Sequence, residues 1–146
     1  MLQIAYFSTA TVAQTKSLVE DILTVARAHN ARAGITGLLV AGGNRYMQII
    51  EGPRIQVETL WAAILRDERH CAVTELVNRR ATTRLFGSWS MAFQSEQRLS
   101  DFHTFPQTLR FLVKQIEDPK LRGQLERYGR SFIQPAGGSA PTPWEY

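Results

Sequence analysis

Residues 37–52 read GLLVAGGNRYMQIIEG, two apolar runs parted by Gly42, Gly43 and Asn44. Glycine and asparagine tolerate the positive φ angles of a tight turn, so the stretch predicts a β-hairpin. Its second arm poses a problem. Tyr46, Gln48 and Ile50 alternate onto one face, Met47 and Ile49 onto the other. If both faces are covered, the Gln48 amide is interior and needs partners, because an unpaired buried amide costs roughly 1–3 kcal/mol.

Outward from the hairpin, the periodicity supplies the neighbours that would cover it. LQIAYFS (residues 2–8) sets Leu2, Ile4 and Tyr6 against Gln3, Ala5 and Phe7, a first strand. From Lys16 to His29 the period lengthens, with Val19, Ile22, Leu23 and Ala26 on one stripe and Thr15 placed as an N-cap. A second helix carries Val57, Leu60, Trp61, Ile64 and Leu65. VTELVNRRA (73–81) predicts a fourth strand and WSMAF (89–93) a short fifth. The order is βαββαββ, which predicts an α+β, ferredoxin-like sheet with two helices on one face. Phe7, Leu38, Val40, Met47 and Ile49 make the other face too apolar to stay wet. C-terminal helices are expected over it: QTLRFLVKQI (107–116), opened by Pro106, and KLRGQLERYGRSFI (120–133), after Pro119. The expected organisation is a core over 1–95, a helical extension over 96–134 and a disordered Pro/Gly-rich tail over 135–146.

Bulk properties exclude several classes. With 146 residues, 44% hydrophobic and 21% charged, the chain suits one domain with its own core. No apolar run approaches the ~20 residues of a membrane span, and the start MLQIAYFS lacks signal-peptide character, so a cytoplasmic protein is expected. Cys71 stands alone and reads as a small apolar filler. The net charge of +4 and pI near 9.6 invite a nucleic-acid reading. Basic residues are nevertheless spread from Lys16 to Arg130 with acids between them, the pattern of solvated faces.

With both faces dry, Gln48 is joined inside by Tyr6, on the strand face of Ile4, and by Asn30 near the end of the first helix. Three such groups from three elements can surround something flat with polar edges. Each has another reading: Tyr6 bonded to a backbone carbonyl, Asn30 as a left-handed helix cap, Gln48 facing solvent in the opposite register.

The segments AYFSTA, HNARAGITGLL (29–39), YMQIIEGP (46–53), ILRDERH (64–70) and LFGSWSMAF (85–93) closely resemble the BLUF family of blue-light sensors using flavin, in order across residues 1–95. The resemblance implies a non-covalent flavin, usually FAD with FMN or riboflavin as alternatives, between the two helices. It implies that Tyr6 gives an electron and a proton to the photoexcited flavin and that Gln48 then rearranges its amide. Asn30 matches the asparagine at the pyrimidine side, Ile22 and Ile64 the aliphatic pair around the ring, and Trp89 and Met91 the residues implicated in passing the signal on. Arg69 and His70 match an Arg-His pair, and with Arg66 they form a cationic cluster suited to phosphates or ribose; for Arg66 a helix C-terminal charge is the alternative. His29 is counted with the cofactor-binding residues although the family varies there, frequently having asparagine. Tyr46 departs from a common phenylalanine and adds a hydroxyl near the site.

The residue types suit the task. A phenol can lose an electron while its proton leaves along a hydrogen bond, and a primary amide exchanges donor and acceptor on rotation or tautomerisation. The expectation is a light sensor with no enzyme activity of its own, since the chain beyond residue 95 is too short for a cyclase or phosphodiesterase domain of well over ~100 residues. Its signal would pass through Trp89, Met91 and the C-terminal helices to a partner protein or a homo-oligomer. The rival is a ferredoxin-like RNA-binding module, but YMQIIEGP lacks the aromatic motif such modules stack on bases. An acylphosphatase-like enzyme ranks third, because no arginine stands in a phosphate-cradling loop before the first helix.

Overall fold

In the computed structural model, which describes residues 1–42, 44–87, 90–95, 114, 117–120, 122–123 and 125–127, the hairpin forms as its sequence predicts. Strand β2 (Thr36–Gly42) and strand β3 (Arg45–Gly52) pair antiparallel with Gly42 opposite Arg45. Asn44 takes φ 63° in the turn between them, the left-handed region that asparagine tolerates better than most residues. Strand β1 (Leu2–Ala10), helix α1 (Lys16–Ala33), helix α2 (Arg54–Arg66), strand β4 (His70–Arg80) and strand β5 (Ala92–Ser95) complete the order. The sheet runs β4-β1-β3-β2-β5. This is a ferredoxin-like α+β fold, with β3 central and β1 beside it, antiparallel to both β3 and β4.

Register turns the alternation into layers. Tyr6 lies opposite Gln48, and Gln48 opposite Leu39. Ile4, Ile50 and Leu39 share the core packed by α1 and α2, with Val19, Leu23 and Val57 buried and Leu60, Trp61 and Ile64 packed against it. The other face holds Phe7, Leu38, Val40, Met47 and Ile49, all buried. Gly37 lets β2 and β3 close: a Cβ there would lie 2.1 Å from the Ile49 carbonyl oxygen.

Several element limits differ from expectation. Helix α1 begins after the Thr15 cap, whose hydroxyl accepts from the Leu18 amide, but it runs past His29 to Gly34, the first residue able to take the left-handed cap cheaply (φ 66°). Asn30 is therefore inside the helix rather than its cap, and its carbonyl receives the Gly34 and Ile35 amides. Leu65 falls off the α2 core stripe and is 51% exposed. Strand β4 starts at His70 instead of Val73, and β5 at Ala92 instead of Trp89. Two register shifts interrupt the pairing of β1 with β4, and Ala72 sits at φ 50° beside one of them. Such bulges re-aim side chains next to sites.

The chain divides into two compact units, Met1–Phe93 and Gln94–Tyr146. In the second, Asp118 opens a helical turn: its carboxylate accepts from the Lys120 amide and its carbonyl from the Arg122 amide, each at 2.9 Å. Pro119 follows in the first helical position, where its missing N–H costs nothing. Trp89, residues 107–116 apart from Lys114, and the tail 135–146 lie outside the described residues. Among the described residues no helix is long and apolar enough to cross a membrane.

Candidate functional site

A cavity of about 390 Å³ opens between α1 and α2 above the sheet. Ile22, Val25 and Ala26 form one wall, Leu60, Ala63 and Ile64 the other, each at helical spacing. Tyr6, Leu39, Tyr46 and Gln48 make the floor, and His29, Asn30, Asp67, Arg69 and His70 the polar margins. Apolar walls facing each other over a polar floor suit a flat aromatic ring with hydrogen-bonding edges.

Tyr6 is 4% exposed and its hydroxyl donates to Gln48 Oε1 at 2.5 Å. Burial first, then the nearby Asp67 and Tyr46, pushes its pKa far above that of an ordinary phenol, so it stands as a neutral donor. The Trp61 ring covers it at a 5.0 Å centroid distance. Because Oε1 accepts from Tyr6, the Gln48 amide is oriented with Nε2 toward Met91 Sδ at 3.7 Å. Sulfur is a weak acceptor, so that N–H is held loosely and can change partner. Met91 is in turn fixed by its backbone: Arg27 Nε donates to its carbonyl at 3.1 Å, and Asn30 Nδ2 to the neighbouring Ser90 carbonyl at 2.8 Å.

His70 reaches the margin from the irregular start of β4. Its Nε2 meets the Ile64 carbonyl at 2.6 Å, which can only accept, so Nε2 carries a hydrogen; Nδ1 meets Ser8 Oγ at 2.8 Å. Its ring edge faces Tyr6, 6.1 Å between centroids. The histidine is thus a bracket between α2 and β1. The Arg69 guanidinium is engaged by Asp67, which accepts from Nε at 2.9 Å and from Nη2 at 2.5 Å. The bond to Arg69 holds the Asp67 carboxyl below its usual range.

The structure brings Tyr6, Ile22, His29, Asn30, Gln48, Ile64, Arg69 and His70 to one cavity and puts Met91 against the Gln48 amide. Arg66 is not with them: its Nε bonds the Ala62 carbonyl one turn back, on the exposed side of α2. Helical rotation explains this, since Arg66 stands two residues, about 200°, from Ile64. Val25, Thr59, Ala63 and Asp67 also line the cavity, although no motif in the sequence marks them. Their signal was positional: Val25 and Ala63 flank the Ile22 and Ile64 stripes, and Asp67 is three residues beyond Ile64.

Among the described residues two buried polar atoms that line the cavity have no hydrogen-bond partner, Asn30 Oδ1 and the Tyr46 hydroxyl. An acceptor and a donor left unmet in one cavity is what a site for a polar-edged ligand leaves behind. The residues present therefore fit a flavin, whose ring has apolar faces and both kinds of hydrogen-bonding atom.

Comparison with known proteins points the same way. The family model described as BLUF, sensors of blue-light using FAD, matches residues 1–92. The chain is 34% identical over 73 residues, half its length, to the blue light- and temperature-regulated antirepressor BluF of Escherichia coli (strain K12), covering 18% of that protein. It is 30% identical over 112 residues, 76% of its length, to photoactivated adenylate cyclase subunit beta of Euglena gracilis, covering 13% of it. It thus spans less than a fifth of these two curated relatives. Among solved structures, BlrB, a BLUF protein in its dark state, superimposes with a TM-score of 0.67 at 28% identity, over 89% of this chain and 96% of that one. BlsA in its ground state gives 0.61 at 27% identity, over 79% of this chain and 86% of that one.

Proposed function

This chain belongs to the BLUF family, sensors of blue light using FAD, and on that premise we propose that it is a photoreceptor in which Tyr6 and Gln48 convert absorption by a bound flavin into a rearranged hydrogen bond. The observation that carries the reading is the Tyr6 to Gln48 hydrogen bond in the floor of a cavity whose lining leaves Asn30 Oδ1 and the Tyr46 hydroxyl unmet among the described residues.

When bound, the flavin supplies absorption of blue light and an excited state that accepts an electron. Everything else falls to the chain. Ile22 and Ile64 hold the ring faces and exclude water, and Asn30 meets a polar edge through Oδ1 while Nδ2 stays on the Ser90 carbonyl. Arg69 and His70 stand at the margin toward the cofactor's polar chain; Arg66 is left out of the set. An electron leaving the Tyr6 ring takes the phenolic proton with it, because Gln48 Oε1 is already hydrogen-bonded to that proton. A neutral amide that took this proton on Oε1 would release one hydrogen from Nε2 towards the ligand that holds the electron, giving the imidic tautomer. Return of electron and proton to Tyr6 would restore the phenol and leave the amide tautomerised or rotated, with donor and acceptor exchanged towards the cavity. The Nε2 to Met91 contact is the weakest link and the first to change.

Met91 carries the change to the adjoining backbone, held by Arg27 and Asn30. Residues 1–95 act as the sensor core, and 96–134, with Trp89, pass the signal to a partner protein or a second copy. Relatives named as an antirepressor and as cyclase subunits support output to another protein or domain. The chain's own part is sensing rather than catalysis. FAD is the ligand expected, by the family's description. The test is to load the full chain with FAD, illuminate it with blue light and record absorption. A shift that reverses in the dark supports the reading; a flavin that never binds, or binds and shows no shift, overturns it.

A further inference from the structure

Tyr46 is the feature of the cavity that this mechanism does not use. It is 6% exposed, lies on the helix-facing side of β3 opposite Ser8 and Ala41, and lines the cavity. Its hydroxyl is buried and unmet. The amide of Gln14 is near enough to hold its pKa down against the rise that burial causes, but Gln14 Nε2 donates to the Arg45 carbonyl at 2.7 Å. Among the described residues the phenolic hydrogen meets no acceptor. A phenylalanine would fill the same space without the cost of an unpaired hydroxyl, and such unmet groups are borne mainly where a ligand meets them.

A second phenol beside the first invites a redox reading, which the proton argues against. The Tyr6 proton has Gln48 Oε1 at 2.5 Å; the Tyr46 proton has no hydrogen-bonded acceptor in place among the described residues, and oxidation without its departure would leave a buried cation. Binding is the role that remains. Tyr46 is two strand residues from Gln48, about 7 Å, with Asp67 and Arg69 close enough to bias its ionisation. The acceptor must therefore belong to a different part of the ligand from the edge that Gln48 addresses.

We propose that Tyr46 is a flavin-binding residue, its hydroxyl donating to an acceptor on the Asp67–Arg69 side of the ligand and taking no part in electron transfer. This rests on the flavin reading of the cavity. The test compares the full chain with its Tyr46→Phe variant, using riboflavin and FAD as probes. Three quantities are measured: the dissociation constant, the thermal midpoint of the flavin-free chain, and the light-induced shift. The expected result has opposite signs: flavin binds roughly two- to tenfold more weakly, the flavin-free midpoint is equal or higher because an unmet hydroxyl is gone, and the shift persists. A variant with unchanged affinity for both probes overturns the proposal, as does a flavin-free variant that melts lower, which would make Tyr46 a packing residue. Loss of the shift with affinity retained also overturns it, by placing Tyr46 in the photochemistry. A wild-type chain that binds neither probe fails the flavin reading itself, an outcome distinct from all of these.

Discussion

Across the paired strands β1 and β3, Tyr6 lies directly opposite Gln48 and donates its phenolic hydrogen to Oε1 at 2.5 Å. One bond sets both the path of the proton and the orientation of the amide. Replacing Tyr6 by Phe keeps the ring under Trp61 and removes only that bond. The variant is expected to hold flavin within about threefold of wild type, the scale of one modest hydrogen bond, and to lose ordinary photoactivation. Equilibrium binding and absorption under blue light check both halves; an unaltered light response clears Tyr6 of the donor role.

Glu51 ties the sheet to the connection that leads to Met91. Its carboxylate, fully buried on the face away from the helices, accepts from Gln3 Nε2 (2.8 Å), Thr36 Oγ1 (3.0 Å), the Leu85 amide (2.9 Å) and the Phe86 amide (2.8 Å). Glu51→Leu strands those donors and is expected to cost about 3–5 kcal/mol, whereas Glu51→Gln, which keeps one acceptor oxygen, costs about 1–3 kcal/mol. Urea unfolding of the two variants measures the difference. Equal stability of Glu51→Leu and wild type would show the network to be idle.

Alkali should loosen the fold through its buried phenols. Tyr6 and Tyr46 both have pKa values raised by burial, so above the unfolded phenol value of about 10 the folded chain holds protons that the unfolded chain has released. Their contribution is complete below that pH and declines as pH rises above it. The thermal midpoint is expected to fall between about pH 9.5 and 11.5, less steeply in Tyr6→Phe, in which one such group is gone. Identical slopes would assign the decline to other groups. Asp67 acts in the opposite sense: held low by Arg69, it contributes above the unfolded carboxyl range and loses that as pH falls. Both partners of this pair are partly solvated, which keeps its share small.

Much of the fold was legible because its signals are local. The turn residues 42–44, the period of Val19 to Ala26 and the Thr15 cap each fix their element without help from the rest of the chain. Element ends were less legible: nothing in HNARA stops a helix before Gly34, and Leu65 meets the stripe rule only until the rotation of α2 against the sheet is known. In the site, Tyr6, Asn30 and Gln48 stood out as polar residues on apolar faces. The resemblance to a family added their roles, together with His29, Arg69 and His70. Arg66 was placed with them by nearness in sequence, which on a helix points two adjacent-but-one residues to opposite sides. The Glu51 network was invisible, since it joins residues 3, 36, 51, 85 and 86 and only tertiary register brings them together. The unmet hydroxyl of Tyr46 was likewise beyond sequence, which names donors without showing what they face.

The most direct test of the central claim is the light-minus-dark absorption spectrum of the FAD-loaded Gln48→Leu variant beside wild type. Leucine keeps most of the volume and removes the group that accepts from Tyr6 and faces Met91. The account predicts a reversible shift in wild type and a bound flavin with no shift in the variant. A normal photocycle in Gln48→Leu would contradict it.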